Sequence, residues 1–386
     1  MKYRLDELFD LQMGKTPARK NPEYWNVDEN KWISIADLSK CGKYINATKE
    51  SISNKAVSES GIMQIPKNTV IMSFKLSIGK TAITSEPMYS NEAIISFRDK
   101  HVVEIMPEYL YYLILSKDWN AGTNKAVMGK TLNKATLSKV TVNIHNIVQQ
   151  HKIVETLDKV NNVVMSRQQQ LKKLDELVKS RFIELFGEPD GNPMNWETAE
   201  LERNLEIVGG FAFKSEGFTE SGIPVLRIGN INSGHFLPVN MVFWPDDPSL
   251  ARYKMYPGDL VMSLTGTVGK DDYGNVCVLS DEYPEYYLNQ RNAKLAIGAT
   301  LNRHYLSEML KFSRIKKRLT GISRGVRQAN ISNRDILALR VPIPPIKLQE
   351  QFATFVEQTD KSKLAIQQSL EKLETLKKAL MQQYFG

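Results

Sequence analysis

Cysteine is nearly absent from the chain. Cys41 and Cys277 are the only two in 386 residues. They lie far apart and in no metal-ligand pattern, so reduced thiols in a cytoplasmic protein are expected. The five histidines, His101, His145, His151, His235 and His304, show no ligand spacing either. Long apolar runs are missing. The longest, YLYYLILS at 109–116, is far too short to span a bilayer and reads as a buried helix. The opening MKYRLDELFD is charged and lacks the apolar core of a signal peptide. Clustered carboxylates of the kind that hold Mg²⁺ in nucleases are not apparent. Glu29-Asn30-Lys31 has no Pro-Asp ahead of it and reads as surface.

Three short stretches imitate chemistry. NPEY at 21–24 resembles the Asn-Pro-Pro-Tyr loop of adenine methyltransferases, but Glu23 replaces the second proline and no glycine-rich cofactor loop follows a strand. It reads as a turn. GGFAFKSEG at 209–217 reads as a tight turn ahead of a strand rather than a phosphate loop. MSFKLSIGK at 72–80 and MSLTGTVGK at 262–270 both end in Gly-Lys. A phosphate-binding loop needs another glycine before four intervening residues, so that successive N–H groups wrap the phosphates. Phe74 and Leu264 occupy that place. No catalytic residue, cofactor or metal is expected in this chain.

The near-repetition of that phrase has an architectural reading. Residues 147–187 align without a gap on 346–386 at an offset of 199, and eleven of the 41 positions are identical. Among them are Gln150/Gln349, Leu171/Leu370, Leu174/Leu373, Leu177/Leu376, Phe186/Phe385 and Gly187/Gly386. Upstream the offset drifts, from 190 at the repeated phrase to 196 at YLYYL against YLSEM. A segment that keeps register reads as a rod, and one that drifts reads as loop-decorated. EPDGNPMNW at 188–196 reads as a linker.

Each 41-residue segment carries a heptad seam. In the first it is Ile153, Leu157, Val160, Val164, Leu171, Leu174, Val178 and Leu185, with Arg167 and Arg181 in the gaps. In the second it is Phe352, Val356, Thr359, Ile366, Leu370, Leu373, Leu380 and Tyr384, with Lys363 and Lys377. Thirty-eight residues of such a helix span roughly 57 Å, and packing the two against each other hides both stripes. The competing arrangement lays each helix on its own domain's core. The upstream halves read as α+β modules. KWISIADL (31–38), IPVLRIGNI (223–231), NTVIMSF and GDLVMSL are expected strands. The boundaries expected are 1–146 for the first domain, 147–187 for its helix, 188–345 for the second domain with its linker, and 346–386 for the second helix.

The net charge is +8 and the pI about 9.1, which suits a polyanion partner. DNA binding needs cations for phosphates and forked donors for base edges. KFSRIKKRLTGISRGVRQ at 311–328 is the most basic stretch. Lys311, Arg314, Lys316, Lys317 and Arg318 suit phosphates from a helix. Arg324, Arg327 and Gln328 sit in a glycine-interrupted loop, where Arg forks onto guanine and Gln onto adenine. Lys125, Lys130 and Asn133 match them by position in the first half. Lys75 and Lys80, against Thr265, Thr267 and Lys270, form paired tips after the repeated strand, and Lys214 joins them. The bland reading of each is a solvated basic face. Met72, Ser73, Met262 and Ser263 read as buried scaffold.

The chain resembles the specificity subunit of type I restriction–modification enzymes. The likeness covers essentially the whole length. It rests on GGFAFKSEGFTESGIPVLRIGNI, on MYPGDLVMSLTGTVGK with YLNQRNAKL downstream, on VPIPPIKLQEQF opening a long helix, and on their recurrence in the other half. The first half departs more, with LQMGKTPARKNPEYW and a shorter SFKLSIGK region. The resemblance implies an α+β fold of two tandem target-recognition domains held apart by two long helices in an antiparallel coiled coil, an internal pseudo-twofold repeat. It implies a non-catalytic subunit that reads a split double-stranded DNA target. The implied partners are two adenine-N6 methyltransferase subunits using S-adenosylmethionine and restriction/translocase subunits using ATP and Mg²⁺, with no membrane. The alternative is a coiled-coil scaffold outside restriction, binding DNA or protein.

Overall fold

A computed structural model describes residues 1–75, 77–119, 124–126, 129–232, 234–321 and 328–386. The chain divides into two compact units. One is Met1–Gln168 with Gln368–Gly386, and the other is Gln169–Gln367. Two helices of 40 residues each, Ile147–Phe186 and Ile346–Phe385, contribute to both.

In the first unit a five-stranded sheet runs in the order Phe9–Met13, Ile94–Asp99, Val70–Ser73, Thr81–Thr84, Tyr44–Ile45. The repeated phrase supplies its centre. Val70–Ser73 is buried at all four positions, which explains a continuous apolar run where a half-exposed strand would alternate. The helix Pro107–Ser116 packs on this sheet with Tyr109, Tyr112 and Leu113 buried. Strands Lys2–Arg4 and Thr141–Asn143 pair antiparallel and lead into the first long helix.

The second unit repeats the plan. Its central sheet runs Leu205–Gly209, Asn292–Ile297, Leu260–Ser263, Val276–Val278. Leu260–Ser263 is again buried throughout. A second sheet runs Phe243–Trp244, Ile223–Leu226, Tyr286–Leu288, Lys254–Met255. Cys277 is fully buried, and desolvation pushes its thiol up to about 12.

Two expected strands stop early. KWISIADL ends its strand at Ile33 and turns into the helix Ile35–Leu38. The Ser34 hydroxyl accepts from Asp37 N, and the Asp37 carboxylate accepts from Ser34 N at 2.9 Å, so a capping box overrides the alternation. IPVLRIGNI likewise stops at Leu226 and makes a 3₁₀ turn over Ile228–Asn230, with Asn230 Oδ1 accepting from Arg227 N at 2.9 Å.

Every seam position named for the long helices is buried or half-buried, including Arg167, Arg181, Lys363 and Lys377. The pairing is antiparallel. In the second unit Lys363 Nζ pairs with Asp175 at 2.8 Å, and in the first unit Lys377 Nζ donates to Asn161 at 2.9 Å. These contacts lie two heptads apart on each helix, in opposite directions. Burial opposes the Lys363 charge, but Asp175 and Asp360 together raise its pKa. The two arrangements considered from sequence both hold, on different parts of each helix. Ile153 and Leu157 join the core of the first domain, and Phe352 and Val356 that of the second. The far end of each helix enters the other core. Val178, Phe182 and Phe186 lie in the second unit's core, and Leu380, Tyr384 and Phe385 in or against the first's. Phe182, fully buried, stands outside the predicted seam.

The internal identities explain themselves at the junctions. Gln150 and Gln349 are both fully buried. Gln150 Oε1 accepts from Met106 N at 2.9 Å, and its Nε2 donates to Glu104 O and His145 O. Gln349 repeats each bond with Asn302 N, Thr300 O and Pro344 O. Each glutamine satisfies three buried backbone groups where a long helix leaves its domain.

Candidate nucleic-acid interface

In both units three segments converge on the residue after the repeated Met-Ser. Phe74 N donates to Ala93 O at 3.0 Å, and Leu132 N donates to Phe74 O at 3.1 Å. Leu264 N donates to Arg291 O at 2.8 Å, and Ile331 N donates to Leu264 O at 2.9 Å. The strand tip, the loop before the next core strand and the segment leading to the final domain helix therefore meet at one end of each sheet.

The serine of the phrase holds the tip. Ser73 Oγ accepts from Lys80 N at 3.0 Å, and Ser263 Oγ accepts from Asn275 N at 3.1 Å. This corrects the pairing of the two Gly-Lys sequences. The serine bond closes over seven residues in the first domain and twelve in the second. Lys80 thus stands at the base of its hairpin, where Asn275 stands in the other, while Lys270 lies farther out along a longer loop. The strand is duplicated, but the turn is not.

The longer hairpin organises the second domain. Its strand Thr265–Thr267 pairs with Gln328–Asn330, setting Thr267 opposite Gln328. Tyr273 OH donates to Thr320 O at 2.8 Å, docking the hairpin on the basic helix Ser313–Thr320. The structure therefore brings Thr265, Thr267, Lys270, Lys317, Arg318 and the backbone of Gln328 to one region. Lys317 and Arg318 are exposed and carry no side-chain partner among the described residues, while Lys270 is exposed beside the Asp272 carboxylate and helps to lower its pKa. Others are engaged. Lys316 pairs with Asp271 and donates to Asn275 Oδ1 at 2.7 Å. Arg314 pairs with Asp190 at 3.2 Å, and Lys311 with Glu308. Thr267 Oγ1 donates to Asp272 at 2.9 Å, and together with the Thr267 N–H it holds that carboxyl below its usual range. These three cations and one hydroxyl are poorer candidates for DNA than their sequence position suggests, because a phosphate must displace an existing partner.

In the first domain Asn133 has a structural task, its Oδ1 accepting from Thr136 N at 2.7 Å to cap the helix Lys134–Ser138. Lys125 and Lys130 face each other in register across a two-stranded hairpin, but their side chains lie outside the described residues. Arg324 and Arg327 also lie outside them, as does the Gln328 side chain. Lys75 Nζ lies 5.4 Å from the Phe74 ring centroid, and Lys80 is exposed. Lys214 is exposed on a different loop, ahead of the turn Ser215–Gly217.

Sequence reasoning missed one of the three converging segments. The loops Asn91–Ala93 and Asn289–Arg291 carry Glu92, Gln290 and Arg291 at exposed positions. The Thr16 hydroxyl donates to Glu92 and, with Lys75 nearby, holds that carboxyl below its usual range. The signal was present in YLNQRNAKL, as a polar run of four residues, 289–292, between two apolar stretches, but it adds only one cation and does not register as a basic patch.

The chain has known relatives. The model of the type I restriction modification DNA specificity domain matches it twice, over residues 1–176 and 193–377. It is 28% identical over 254 residues to the MjaIX specificity subunit of a type I restriction enzyme from Methanocaldococcus jannaschii, a match spanning 60% of this chain and 58% of that relative. It is 23% identical over 326 residues to the MjaVIII specificity subunit from the same organism, spanning 80% and 74%. The crystal structure of a type I restriction–modification S subunit from M. genitalium superposes with a TM-score of 0.55 at 15% identity, covering 100% of this chain and 96% of that one, which is a likeness of fold.

Proposed function

The chain belongs to the type I restriction–modification DNA specificity family, and from that premise we propose that it is the non-catalytic subunit that reads a split double-stranded DNA target. Each domain reads one half, and adenine-N6 methylation is done by a partner that brings S-adenosylmethionine. Restriction/translocase subunits, with ATP and Mg²⁺, would join the same complex. One observation carries the reading: the buried central strand and the backbone bonds at its tip are duplicated while the ends of the sheets differ. Ser73 and Ser263 close hairpins of different length, and Glu92-Ala93 stands where the other domain has Gln290-Arg291. Two heads of one design with different surfaces suit two different half-sites. The exposed Lys80, Lys270, Lys317 and Arg318 supply phosphate contacts.

Co-expression with the neighbouring methyltransferase, followed by single-molecule mapping of N6-methyladenine, tests this. A split motif with an unread gap, absent when either protein is omitted, is the expected result. No new methylation from a soluble, associated pair would refute it.

The partner's docking faces are also duplicated. Leu177 and Leu376 are identical in the repeat yet 48% and 47% exposed. Lys173/Lys372 and Lys179/Lys378, also identical, are exposed around them. Packing within either unit does not account for these identities, and two copies of one partner do. Leu177→Asp and Leu376→Asp should each reduce the bound methyltransferase from two copies to one, read by native mass spectrometry. Two copies retained in both variants would place the docking face elsewhere.

A further inference from the structure

Resting on that reading, we propose that the loops Asn91–Ala93 and Asn289–Arg291 are base-reading elements, with Gln290 and Arg291 forking onto adenine and guanine in one half-site and Glu92 accepting from a cytosine amino group in the other.

The two loops share one backbone. Asn91 Oδ1 accepts from Ala93 N at 3.1 Å, and Asn289 Oδ1 accepts from Arg291 N at 3.2 Å. Ile94 N returns to Asn91 O at 3.2 Å, and Asn292 N to Asn289 O at 2.9 Å. A glycine lets a neighbouring strand approach each loop. A Cβ on Gly14 would stand 2.2 Å from Ser90 O, and one on Gly210 2.2 Å from Asn289 O. The following residue donates in both, Lys15 N to Ser90 O and Phe211 N to Leu288 O, each at 2.8 Å. Gln290 N closes back on Phe211 O at 2.9 Å. Buried strands follow both loops, beginning at Ile94 and Asn292, each 0% exposed. So much backbone order at a surface turn positions whatever the two middle residues carry.

Those two residues are where the copies part. Gln290 and Arg291 are exposed, and neither side chain has a partner among the described residues. They border an open cleft of about 480 Å³ whose other walls include Phe218, Arg227 and Asn240. In the first domain Glu92 is held by Thr16 and its neighbour is Ala93. Phosphate binding would favour cations in both copies. Instead, one copy offers a forked cation and a carboxamide and the other a carboxylate beside the buried Ala93, so the exposed groups are base-edge chemistries of opposite polarity. An unpaired guanidinium on a fixed backbone also loses little freedom when it forks onto a guanine edge.

The test uses the full chain co-expressed with its methyltransferase, with wild type, Arg291→Ala, Arg291→Lys and Glu92→Gln mapped by single-molecule sequencing. A wild-type split motif secures the underlying reading separately. Arg291→Ala and Arg291→Lys are both expected to relax one base of one half-site, lowering discrimination there roughly ten- to a hundredfold, with the other half unchanged. Glu92→Gln should alter the opposite half only. An unchanged motif in both Arg291 variants would overturn the inference and leave the specificity reading standing. So would uniform loss with alanine that lysine restores, since a phosphate contact needs charge and not a fork.

Discussion

Replacing Phe186 with alanine should cost about 3–5 kcal/mol of the stability of the second unit. Phe186 is the last residue of the first long helix and is 3% exposed. Its ring centroid lies 4.8 Å from Tyr305, 4.9 Å from Phe182 and 5.5 Å from Phe352. Phe182 extends the same cluster to Phe312 at 5.1 Å. Truncation leaves a cavity among rings already fixed by one another and by the Tyr305 OH bond to Pro342 O at 2.9 Å, so collapse is limited. Phe385 holds the equivalent place in the first unit, 5.4 Å from Tyr109, with fewer aromatic neighbours. Phe385→Ala should therefore cost less. Denaturant unfolding of both variants, followed by hydrogen exchange assigned to each unit, checks the order. Equal losses, or a larger one for Phe385→Ala, would show that the aromatic cluster does not set the anchor's strength.

A fragment of residues 1–187 should form a symmetric dimer and, with the methyltransferase, specify a palindromic target. The first domain's core includes Phe385, with Leu380, Met381 and Tyr384 packed against it, all from the end of the second helix. A second copy of the fragment supplies Phe186, Arg181, Phe182 and Leu185 at the same repeat positions. The fit is imperfect, because Arg181 replaces Leu380. The register set by Asp175–Lys363 and Asn161–Lys377 places Glu371 beside Arg167 in the full chain, and its repeat equivalent is Lys172. In the fragment dimer two arginines thus meet two lysines. Lys172→Glu should tighten the dimer severalfold at low salt and less at high salt. Analytical ultracentrifugation of both fragments measures this. A fragment monomeric at tens of micromolar, with or without the substitution, would show that the two halves are not interchangeable.

The extent of the long helices was legible in the sequence to within a residue. The heptad seam and the glycine closing each copy are local signals, and the gapless repeat reinforces them. The buried central strands were legible for the same reason, since a run such as VIMS or LVMS has no polar face to show. The turns after them were not. Aligning the two Gly-Lys pairs gave the closest match of letters, yet the Ser263 bond closes on Asn275 rather than on Lys270. A hairpin's length is set by which backbone groups meet across it, and that is not a local property.

The sequence by itself determined the duplication, the two rods, the buried strands and the family, because these depend on periodicity and on identities between segments of one chain. Only the tertiary structure decided which charges remain available. Lys311, Arg314 and Lys316 are as basic in the sequence as Lys317 and Arg318, but the fold sets carboxylates beside the first three and leaves the other two in solvent. It also brought forward Gln290 and Arg291, in a short polar run between two apolar stretches, by fixing their backbone and leaving their side chains unpaired. A side chain's charge is written in the sequence, whereas its partner is chosen by packing, and a cation already paired with a carboxylate offers a ligand less than an unpaired one.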